Sequence, residues 1–373
     1  LVPDALKATS KIGAEVLVES GAGTEAGFED EAYVAAGATI VNNATALGAD
    51  LVCKVQPPSD GEIALMTSGA ELISFLKPLD LPELPQKLAD RGVNAFSMEL
   101  MPRITRAQSM DALSSQSTIA GYRAVLLAAA ALPRIFPMLV TAAGTLQPAQ
   151  VLVVGVGVAG LQALGTAKRL GARTSGYDTR PVVREQVESL GAKFVELDLD
   201  TEGSEDAGGY AKAQSEEFYQ KQRKLLGEYV SKSDVVITTA LVPGQRAPLL
   251  IEEDAVQAMR PGSVIVDLAA EKGGNVAVTQ ADQDLKIHGV TVIGHTNLPS
   301  EIPAHASQTY AKNVTTFLEH LVEDAAIRFD FSDEITTGTL VSYDGKVVNE
   351  RLGGTMPAPP PAPAEEASQE GSA

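Results

Sequence analysis

Residues 151–178 read VLVVGVGVAGLQALGTAKRLGARTSGYD and combine an apolar segment, a glycine-rich turn, a helical pattern and a final acid. The four apolar residues at 151–154 are typical of a strand that is buried on both faces of a parallel sheet. Apolar residues then recur at helical spacing between Leu161 and Leu170. The order of strand, turn, helix and second strand predicts a βαβ unit of a doubly wound α/β fold.

The turn carries three glycines at the spacing of a dinucleotide-binding fingerprint. Gly155 permits the tight turn, Gly157 allows the backbone to approach a pyrophosphate, and Gly160 allows close packing of the helix. Val158 and Ala159 open the helix, whose N-terminus is predicted to receive the phosphates. Glycine triplets alone are weak signals, because the chain contains 33 glycines, so the flanking strand and helix decide the interpretation.

An acid follows the second strand at the position where such folds bind the adenosine ribose. A carboxylate at Asp178 would accept hydrogen bonds from the ribose hydroxyls and repel a 2′-phosphate, which favours NAD(H) over NADP(H). Thr179 and Arg180 come directly after it. An arginine near this acid can receive a 2′-phosphate in other enzymes, but we interpret Arg180 as a solvated residue at a helix start. We therefore expect the chain to bind NAD(H).

Composition limits the classes of protein to which the chain can belong. Its 373 residues, 45% of them hydrophobic, are enough for two α/β domains and too many for one core. The formal net charge of −19 disfavours binding to nucleic acid or to an anionic membrane surface. No stretch reaches the roughly 20 apolar residues that span a bilayer, so we expect no direct insertion. The single cysteine, Cys53, is interpreted as a small buried strand residue.

The alternation of strand and helix patterns predicts two Rossmann-like α/β domains with parallel sheets, joined by long helices. A C-terminal segment rich in proline and alanine cannot form a packed core, so we expect a disordered linker there. The predicted limits are residues 1–120 and 300–354 for a discontinuous first domain, 121–299 for the domain with the glycine turn, and 355–373 for the linker. Leucine at position 1 predicts that an initiating methionine and some preceding sequence are missing.

Three further elements follow from local patterns. An alanine- and leucine-rich segment at 119–143 is predicted to be a connecting helix that Pro133 and Pro137 kink or divide. A second helix is predicted at 303–322. Residues 340–348 predict a hairpin with an Asp-Gly turn.

A polar, glycine-rich insertion at 200–212 predicts a mobile flap in the nucleotide-binding domain. A tyrosine on a glycine hinge, here Tyr210, can fold over a bound nucleotide and exclude water. The alternative is an exposed loop tyrosine without such a role.

A polar loop at 102–116 contains two arginines, two glutamines, an aspartate and three serines. Glutamine and serine can hydrogen-bond a carboxamide without adding charge, and an Arg-Asp pair can hold a loop in one geometry. The set therefore suits the orientation of a nicotinamide ring. A capped helix start is the structural alternative.

Several separated motifs resemble those of the NAD(H)-binding component of proton-translocating nicotinamide nucleotide transhydrogenase, over nearly all of residues 1–354. The resemblance implies that Arg103, Gln108 and Asp111 surround the nicotinamide as catalytic residues and that Ser114 contacts its carboxamide. It also implies nucleotide contacts by Tyr210, Ala240, Leu241 and Asn297. Besides the glycine fingerprint, the motifs lie at 19–28, 103–111, 120–123, 209–212, 238–244 and 294–299.

The resemblance further implies direct hydride transfer between NADH in this chain and NADP(H) on a partner domain, coupled to proton translocation by a membrane-spanning subunit. It implies a homodimer and a cytoplasmic location, peripheral on the cytoplasmic face of the inner membrane. We expect no metal site, because the acids at 252–254 lie at a predicted helix start, where they complement the helix dipole.

Alanine dehydrogenase shares this architecture and many of the motifs, and it is the main alternative. Reduction of a keto acid needs a proton donor and cations for the substrate carboxylate, whereas transfer between nicotinamides needs neither. The dehydrogenases carry a lysine in a Lys-Glu-Pro turn and a histidine after the next strand, where this chain has Gln56 and Lys77. Lys54 and Lys77 can still provide cations, so this alternative stays open. A non-catalytic NAD(H)-binding docking protein is a third interpretation, which only the complete nicotinamide loop opposes.

Overall fold

The computed structural model describes residues 1–199 and 215–358. The flap residue Tyr210 and most of the predicted linker lie outside the described residues. The chain divides into two compact units. The first unit contains Leu1–Ala5, Gly21–Tyr33 and Asp111–Asn313, and the second contains Leu6–Ser20, Val34–Met110 and the residues from Val314 onward.

Twelve α-helices lie within the described residues, and most of them are short. They are α1 (Leu6–Lys11), α2 (Asp30–Ala35), α3 (Asn43–Leu47), α4 (Asp60–Leu65), α5 (Leu84–Arg91), α6 (Ala112–Ala131), α7 (Val158–Arg169), α8 (Arg184–Ser189), α9 (Glu216–Val230), α10 (Glu253–Gln257), α11 (Pro303–Leu321) and α12 (Glu334–Thr339).

Eighteen β-strands lie in the same portion of the chain. They are β1 (Leu17–Glu19), β2 (Thr39–Val41), β3 (Leu51–Cys53), β4 (Glu71–Ser74), β5 (Asn94–Ser97), β6 (Leu139–Thr141), β7 (Gly144–Leu146), β8 (Gln150–Val154), β9 (Arg173–Tyr177), β10 (Lys193–Phe194), β11 (Val235–Thr238), β12 (Val264–Asp267), β13 (Asp284–Ile287), β14 (Val290–Ile293), β15 (Val322–Glu323), β16 (Ala326–Ile327), β17 (Leu340–Tyr343) and β18 (Lys346–Val347).

A seven-stranded sheet forms the centre of the first unit, with the strand order β10-β9-β8-β11-β12-β14-β13. Every neighbouring pair is parallel except β13 and β14, which are antiparallel. The strand order reverses between β8 and β11, so the glycine turn after β8 lies at the switch point of a doubly wound sheet. The predicted Rossmann-like fold is thereby confirmed.

Both faces of this sheet are covered, as the apolar composition of β8 requires. Val151 and Val153 belong to a core with residues of α6 and α7, whereas Leu152 and Val154 belong to a core with residues of α9 and α10. Successive side chains of a strand point to opposite faces, so an all-apolar strand needs helices on both sides. Burial of each such side chain contributes about 1.5–3 kcal/mol.

The second unit contains a five-stranded sheet with the order β18-β17-β5-β4-β3. Strands β3, β4 and β5 are parallel, and β17 and β18 are added antiparallel. The predicted hairpin at 340–348 is confirmed, because β17 and β18 pair across Asp344 and Gly345, which have φ angles of 48° and 71°. Both residues adopt the left-handed conformation that a tight hairpin turn favours.

The predicted connecting helix at 119–143 is wrong in its position, because α6 begins and ends about ten residues earlier. Asp111 caps the N-terminus of α6 by accepting a hydrogen bond from the Ser114 N–H at 2.9 Å. The helix ends before Pro133, since the residue that precedes a proline disfavours the α conformation. The second predicted helix, at 303–322, is confirmed as α11.

The predicted domain limits stay a prediction. The compact units change near residue 110 rather than 120, and α11 contributes residues to both units, with the change after Asn313.

Candidate functional site

The glycine turn lies between β8 and α7, where two of its glycines leave no room for a side chain. Gly155 has a φ angle of 89°, and its N–H donates to the carbonyl oxygen of Tyr177 at 2.8 Å. A Cβ atom on Gly155 would lie 2.9 Å from the backbone nitrogen of Ala240. A Cβ atom on Gly160 would lie only 2.1 Å from the carbonyl oxygen of Gly155. The turn therefore packs against both the next strand end and the first turn of α7.

Gly157 differs from these two glycines because it faces open space. It precedes the first residue of α7, no side chain caps this helix end, and a Cβ atom on Gly157 would meet no atom within 4 Å. Val158 and Ala159 lie in the first turn, whose N–H groups have no acceptor within the helix and carry the positive end of the helix dipole. An uncapped helix N-terminus beside open space fits the pyrophosphate of a dinucleotide.

The carboxylate of Asp178 ties the glycine turn to the end of β9. Its Oδ2 atom accepts hydrogen bonds from the Val156 N–H at 2.7 Å and from Arg180 Nη2 at 2.8 Å. Its Oδ1 atom accepts from the backbone N–H and from Nε of Arg180, both at 2.9 Å. Thr179 is the single residue between Asp178 and Arg180.

Our interpretation of Arg180 as a solvated helix-start residue is wrong. Its side chain is only 13% exposed, and it forms a forked ion pair with a carboxylate that is 5% exposed. The physical reason is proximity: the chain turns after β9, so the guanidinium of Arg180 lies against the acid two residues before it.

A buried amide holds the backbone at the end of β11, which the sequence analysis missed. Asn275 is fully buried, and its Oδ1 atom accepts a hydrogen bond from the Ala240 N–H at 3.0 Å. Its Nδ2 atom donates to the carbonyl oxygens of Ala240 at 2.9 Å and of Pro248 at 2.8 Å. Asn275 therefore positions one of the residues expected to contact the nucleotide. The preceding Gly273 and Gly274 indicate a turn but give no signal for the role of this side chain.

Asp267, at the end of β12, fixes Asn275 in turn. Its buried carboxylate accepts hydrogen bonds from the hydroxyl groups of Thr238 and Thr279, each at 2.8 Å. It also accepts from the backbone N–H groups of Ala269 at 3.0 Å and Asn275 at 2.8 Å. Burial raises the pKa of Asp267 despite these donors. The carboxylate thus organises the loop that follows β12.

Two further expected nucleotide contacts differ in their surroundings. Leu241 follows Ala240 and is 42% exposed, so it presents an apolar surface at the end of β11. Asn297 adopts a left-handed conformation with φ 49° and ψ 43°, and its Nδ2 atom donates to Ser300 Oγ at 2.6 Å. The described contact of Asn297 stays within its own turn.

The polar loop at 102–116 crosses from one compact unit to the other. Asp111 and Ser114 belong to the first unit, where the carboxylate accepts from the Ser114 N–H at 2.9 Å and from Ser114 Oγ at 2.6 Å. The structure therefore has the capped helix start that the sequence allowed as an alternative. Arg103 and Gln108 belong to the second unit, and their expected roles at a nicotinamide stay predictions.

Another arginine of this loop, Arg106, has carboxylate partners that the sequence did not reveal. It pairs with Asp333 at 2.6 Å and with Glu334 at 3.3 Å, at the start of α12. Asp333 also accepts from His320 Nε2 at 2.9 Å and caps α12 through the Thr336 N–H. Burial acts to raise the pKa of Asp333, but the donors from His320, Thr336 and Arg106 outweigh it and lower the pKa. This network anchors the segment that carries Gln108.

The residues that an alanine dehydrogenase would use have mixed surroundings. Lys54 forms an ion pair with Glu62, which also completes a capping box with Ser59 at the start of α4. Burial acts to raise the pKa of Glu62, but hydrogen bonds from Lys54 and Ser59 lower it. Cys53 ends β3 as expected, and burial raises the pKa of its thiol to about 11.

The acids of the described residues do not form a metal cluster. Residues 1–199 and 215–358 contain no group of three or more His, Cys, Asp or Glu side chains that could hold a metal ion. The acids at 252–254 do lie at a helix start, because Glu252 is the N-cap of α10. None of the helices described above has both the length and the apolar character needed to cross a membrane.

Two family models match consecutive segments of the chain. The alanine dehydrogenase/PNT N-terminal domain matches residues 1–120, and the alanine dehydrogenase/PNT C-terminal domain matches residues 124–350. The chain is also similar to an NAD(P) transhydrogenase alpha subunit of Rhodospirillum rubrum, with 49% identity over 362 residues that cover 94% of each chain.

Two solved structures have similar folds over nearly the full chain. The transhydrogenase from Sinorhizobium meliloti has a TM-score of 0.82 and 42% identity, and the match covers 94% of each chain. An L-alanine dehydrogenase has a TM-score of 0.77 and 26% identity, and the match covers 94% of this chain and 93% of that one.

Proposed function

The chain belongs to the alanine dehydrogenase/PNT family, and on that premise we propose that it is the NAD(H)-binding catalytic component of a proton-translocating NAD(P) transhydrogenase. It exchanges hydride directly with NADP(H) on a partner domain, and a membrane-spanning subunit couples the exchange to proton translocation. The observation that carries this proposal is the 49% identity to a transhydrogenase alpha subunit over 94% of each chain. The identity to an alanine dehydrogenase of similar fold is 26%.

The geometry of the first unit supports NAD(H) as the nucleotide. The pyrophosphate fits the helix N-terminus at Gly157, and the carboxylate of Asp178 is available at the strand end where the adenosine ribose binds in this fold. Ala240 and the exposed Leu241 supply the wall at the end of β11. The acid at Asp178 favours a 2′-hydroxyl over a 2′-phosphate, which leaves NADP(H) to the partner domain.

The nicotinamide end is assigned to the loop at 102–116. Ser114 contacts the carboxamide, while Arg103, Gln108 and Asp111 surround the ring and set its orientation. When bound, NADH supplies the hydride. The residues of this chain need to hold the ring within reach of the acceptor ring and to exclude water, because direct transfer requires no proton donor. Neutral groups such as Gln108 and Ser114 are suited to this task, since they orient a ring without favouring either charge state.

The residues in the second unit oppose the alanine dehydrogenase alternative. Gln56 and Lys77 stand where the dehydrogenases carry a lysine and a histidine. Lys54, which could bind a keto-acid carboxylate, already pairs with Glu62. The alternative is kept because an L-alanine dehydrogenase has a TM-score of 0.77 to this chain. A non-catalytic NAD(H)-binding docking protein is the remaining alternative.

The assembly we propose is a homodimer that associates with the membrane subunit from the cytoplasmic face of the inner membrane. The hairpin of β6 and β7 supports a second copy as one partner, because a two-stranded hairpin is marginally stable alone. Its strands are exposed at every position, and Val140 is 77% exposed. Apolar side chains are exposed throughout the segment: Ile135, Met138, Leu139, Val140 and Leu146.

The test is stopped-flow hydride transfer from NADH to an NADP+ analogue whose reduced form absorbs at a separate wavelength. The chain is mixed with a transhydrogenase NADP(H)-binding domain, and the control is the same chain with L-alanine and NAD+ but no partner. Rapid transfer that needs the partner is expected. Alanine oxidation without a partner would establish the dehydrogenase instead, and NADH binding with neither activity would favour the docking protein.

A further inference from the structure

We propose that Arg180 is a latent receptor for a 2′-phosphate and that Asp178 masks it. The preference for NAD(H) is then set by the Asp178–Arg180 pair, not by the repulsion from one carboxylate. This inference rests on the proposed NAD(H) site and concerns its specificity.

The first step is the saturation of the Asp178 carboxylate. Its two oxygens together accept at least four hydrogen bonds, including three from Arg180 and one from Val156, at 2.7 to 2.9 Å. A carboxylate offers about four acceptor positions, so all of them are occupied. A ribose hydroxyl that binds Asp178 must displace or share one of the Arg180 contacts. The 2′ position of the nucleotide therefore comes within reach of the guanidinium.

The second step is the charge of the pair. Arginine is protonated at every accessible pH, and its planar fork matches the oxygens of a carboxylate or a phosphate equally well. Here the fork is engaged by Asp178, and both side chains are largely withdrawn from solvent. The neutral pair offers no net positive charge to a 2′-phosphate, which would also face the carboxylate. Loss of the carboxylate charge would leave a partly buried guanidinium in need of another anion.

The third step is the position of the acid, which cannot simply rotate away. The Val156 N–H holds Oδ2 from the glycine turn, and the backbone N–H of Arg180 holds Oδ1. Asparagine at this position keeps a carbonyl oxygen that can accept from Val156 and removes only the negative charge. Asp178→Asn is therefore expected to preserve the turn while it releases the fork of Arg180.

A double-mutant cycle on the full chain tests this proposal. The four proteins are the wild type, Asp178→Asn, Arg180→Gln and the double variant, and NADH and NADPH are titrated separately against each by nucleotide fluorescence. Asp178→Asn is expected to raise the affinity for NADPH about tenfold or more, since a hydrogen bond between charged groups contributes on that scale. The double variant is expected to lose most of this gain, because the acquired affinity depends on the guanidinium.

The outcomes separate this inference from the function on which it rests. If Asp178→Asn gains no affinity for NADPH, or gains it equally without Arg180, the inference is wrong, while NADH binding by the wild type leaves the proposed function standing. If the wild type does not bind NADH, the proposed function fails as well. Thermal unfolding checks that each variant folds, and Asp178→Ser, which also keeps an acceptor oxygen, replaces Asp178→Asn if the latter does not.

Discussion

Asn275 forms two hydrogen bonds with the backbone of Ala240, one to its N–H at 3.0 Å and one to its carbonyl oxygen at 2.9 Å. The amide side chain is fully buried, and Asp267 holds its backbone. Because the Ala240 nitrogen also borders Gly155, this amide fixes the spacing between the end of β11 and the glycine turn. A side chain that touches no nucleotide can therefore control the shape of the nucleotide site.

Asn275→Ala is expected to lower the free energy of unfolding by about 2–3 kcal/mol, because it leaves buried backbone groups of Ala240 and Pro248 without their partner. It should also weaken NADH binding, since the strand end loses its support. Urea unfolding and an NADH titration measure the two effects. The matched control is Asn43→Ala, which removes an exposed amide that bonds Glu19. Equal stability of the two variants would contradict the positioning role.

The glycines of the turn are expected to respond in opposite ways to the same substitution. Gly160→Ala places a Cβ 2.1 Å from the Gly155 carbonyl oxygen, so it should destabilise the fold by about 3 kcal/mol or more. Gly157→Ala meets no atom within 4 Å and has an ordinary φ of −82°, so the protein should fold normally. NADH affinity should nevertheless fall at least about tenfold, because the methyl group would stand where the backbone approaches the pyrophosphate.

Thermal unfolding and NADH titration of both variants provide the check. Unchanged NADH affinity in a well-folded Gly157→Ala protein would remove the pyrophosphate from this helix N-terminus.

The elements that the sequence predicted well are those with a strong local signal. Strand β8 was correct because valines buried on both faces cannot belong to a surface element, and the turn was correct because its glycines follow that strand directly. Helix α6 was misplaced because alanine and leucine continue past Pro133, while the true start depends on capping by Asp111. The hairpin of β6 and β7 was missed, since its exposed apolar residues do not alternate with polar ones.

The contacts that organise the candidate site are of another kind. Arg106 and Asp333 are far apart in the chain, as are Asn275 and Ala240, so neither pair leaves a local pattern. Arg180 lies two residues from Asp178, yet its burial depends on how the chain turns after β9. Sequence composition identified the loop at 102–116 as functional, but the partner of Arg106 required the fold.

The depressed pKa of Asp333 predicts a pH-dependent contribution to stability. An acid whose pKa is lower in the folded than in the unfolded state stabilises the fold above its unfolded pKa of about 4. That contribution is lost as the pH falls through the folded value. Asp333→Asn should therefore lower the free energy of unfolding by about 2 kcal/mol at neutral pH. The difference from wild type should shrink below about pH 4.

Urea unfolding of wild type and Asp333→Asn across that pH range measures this difference. A gap that is constant with pH would mean that Asp333 acts only as a helix cap through Thr336 and not through its charge.

The proposed role of Gln108 predicts a separation between binding and transfer. Gln108→Asn shortens the side chain by one methylene and keeps the amide, so it should slow hydride transfer at least about tenfold through loss of orientation. NADH affinity should change much less, because the nucleotide is held mainly by the first unit. Stopped-flow transfer and equilibrium NADH binding on the same preparation decide the matter. Equal losses in both would contradict an orienting role.

The exposed hairpin predicts a specific effect on the oligomeric state. Val140→Asp places a charge on the 77% exposed position of β6 and should shift the protein from dimer to monomer in sedimentation velocity. Val34→Asp, at a 55% exposed valine elsewhere, is the matched control and should leave the dimer intact. A wild-type monomer, or a dimer that survives Val140→Asp, would exclude this hairpin as the interface.

The central claim is direct transfer of hydride from NADH in this chain to NADP+ on a partner. The most direct measurement uses NADH that carries deuterium at both positions of ring carbon 4, mixed with the chain, NADP+ and a transhydrogenase NADP(H)-binding domain. Mass spectrometry of the nucleotides then follows the label. Deuterium in NADPH in proportion to the NADH oxidised, only when both proteins are present, is the expected result. NADH oxidation that leaves NADPH unlabelled, or transfer that proceeds without this chain, would contradict the claim.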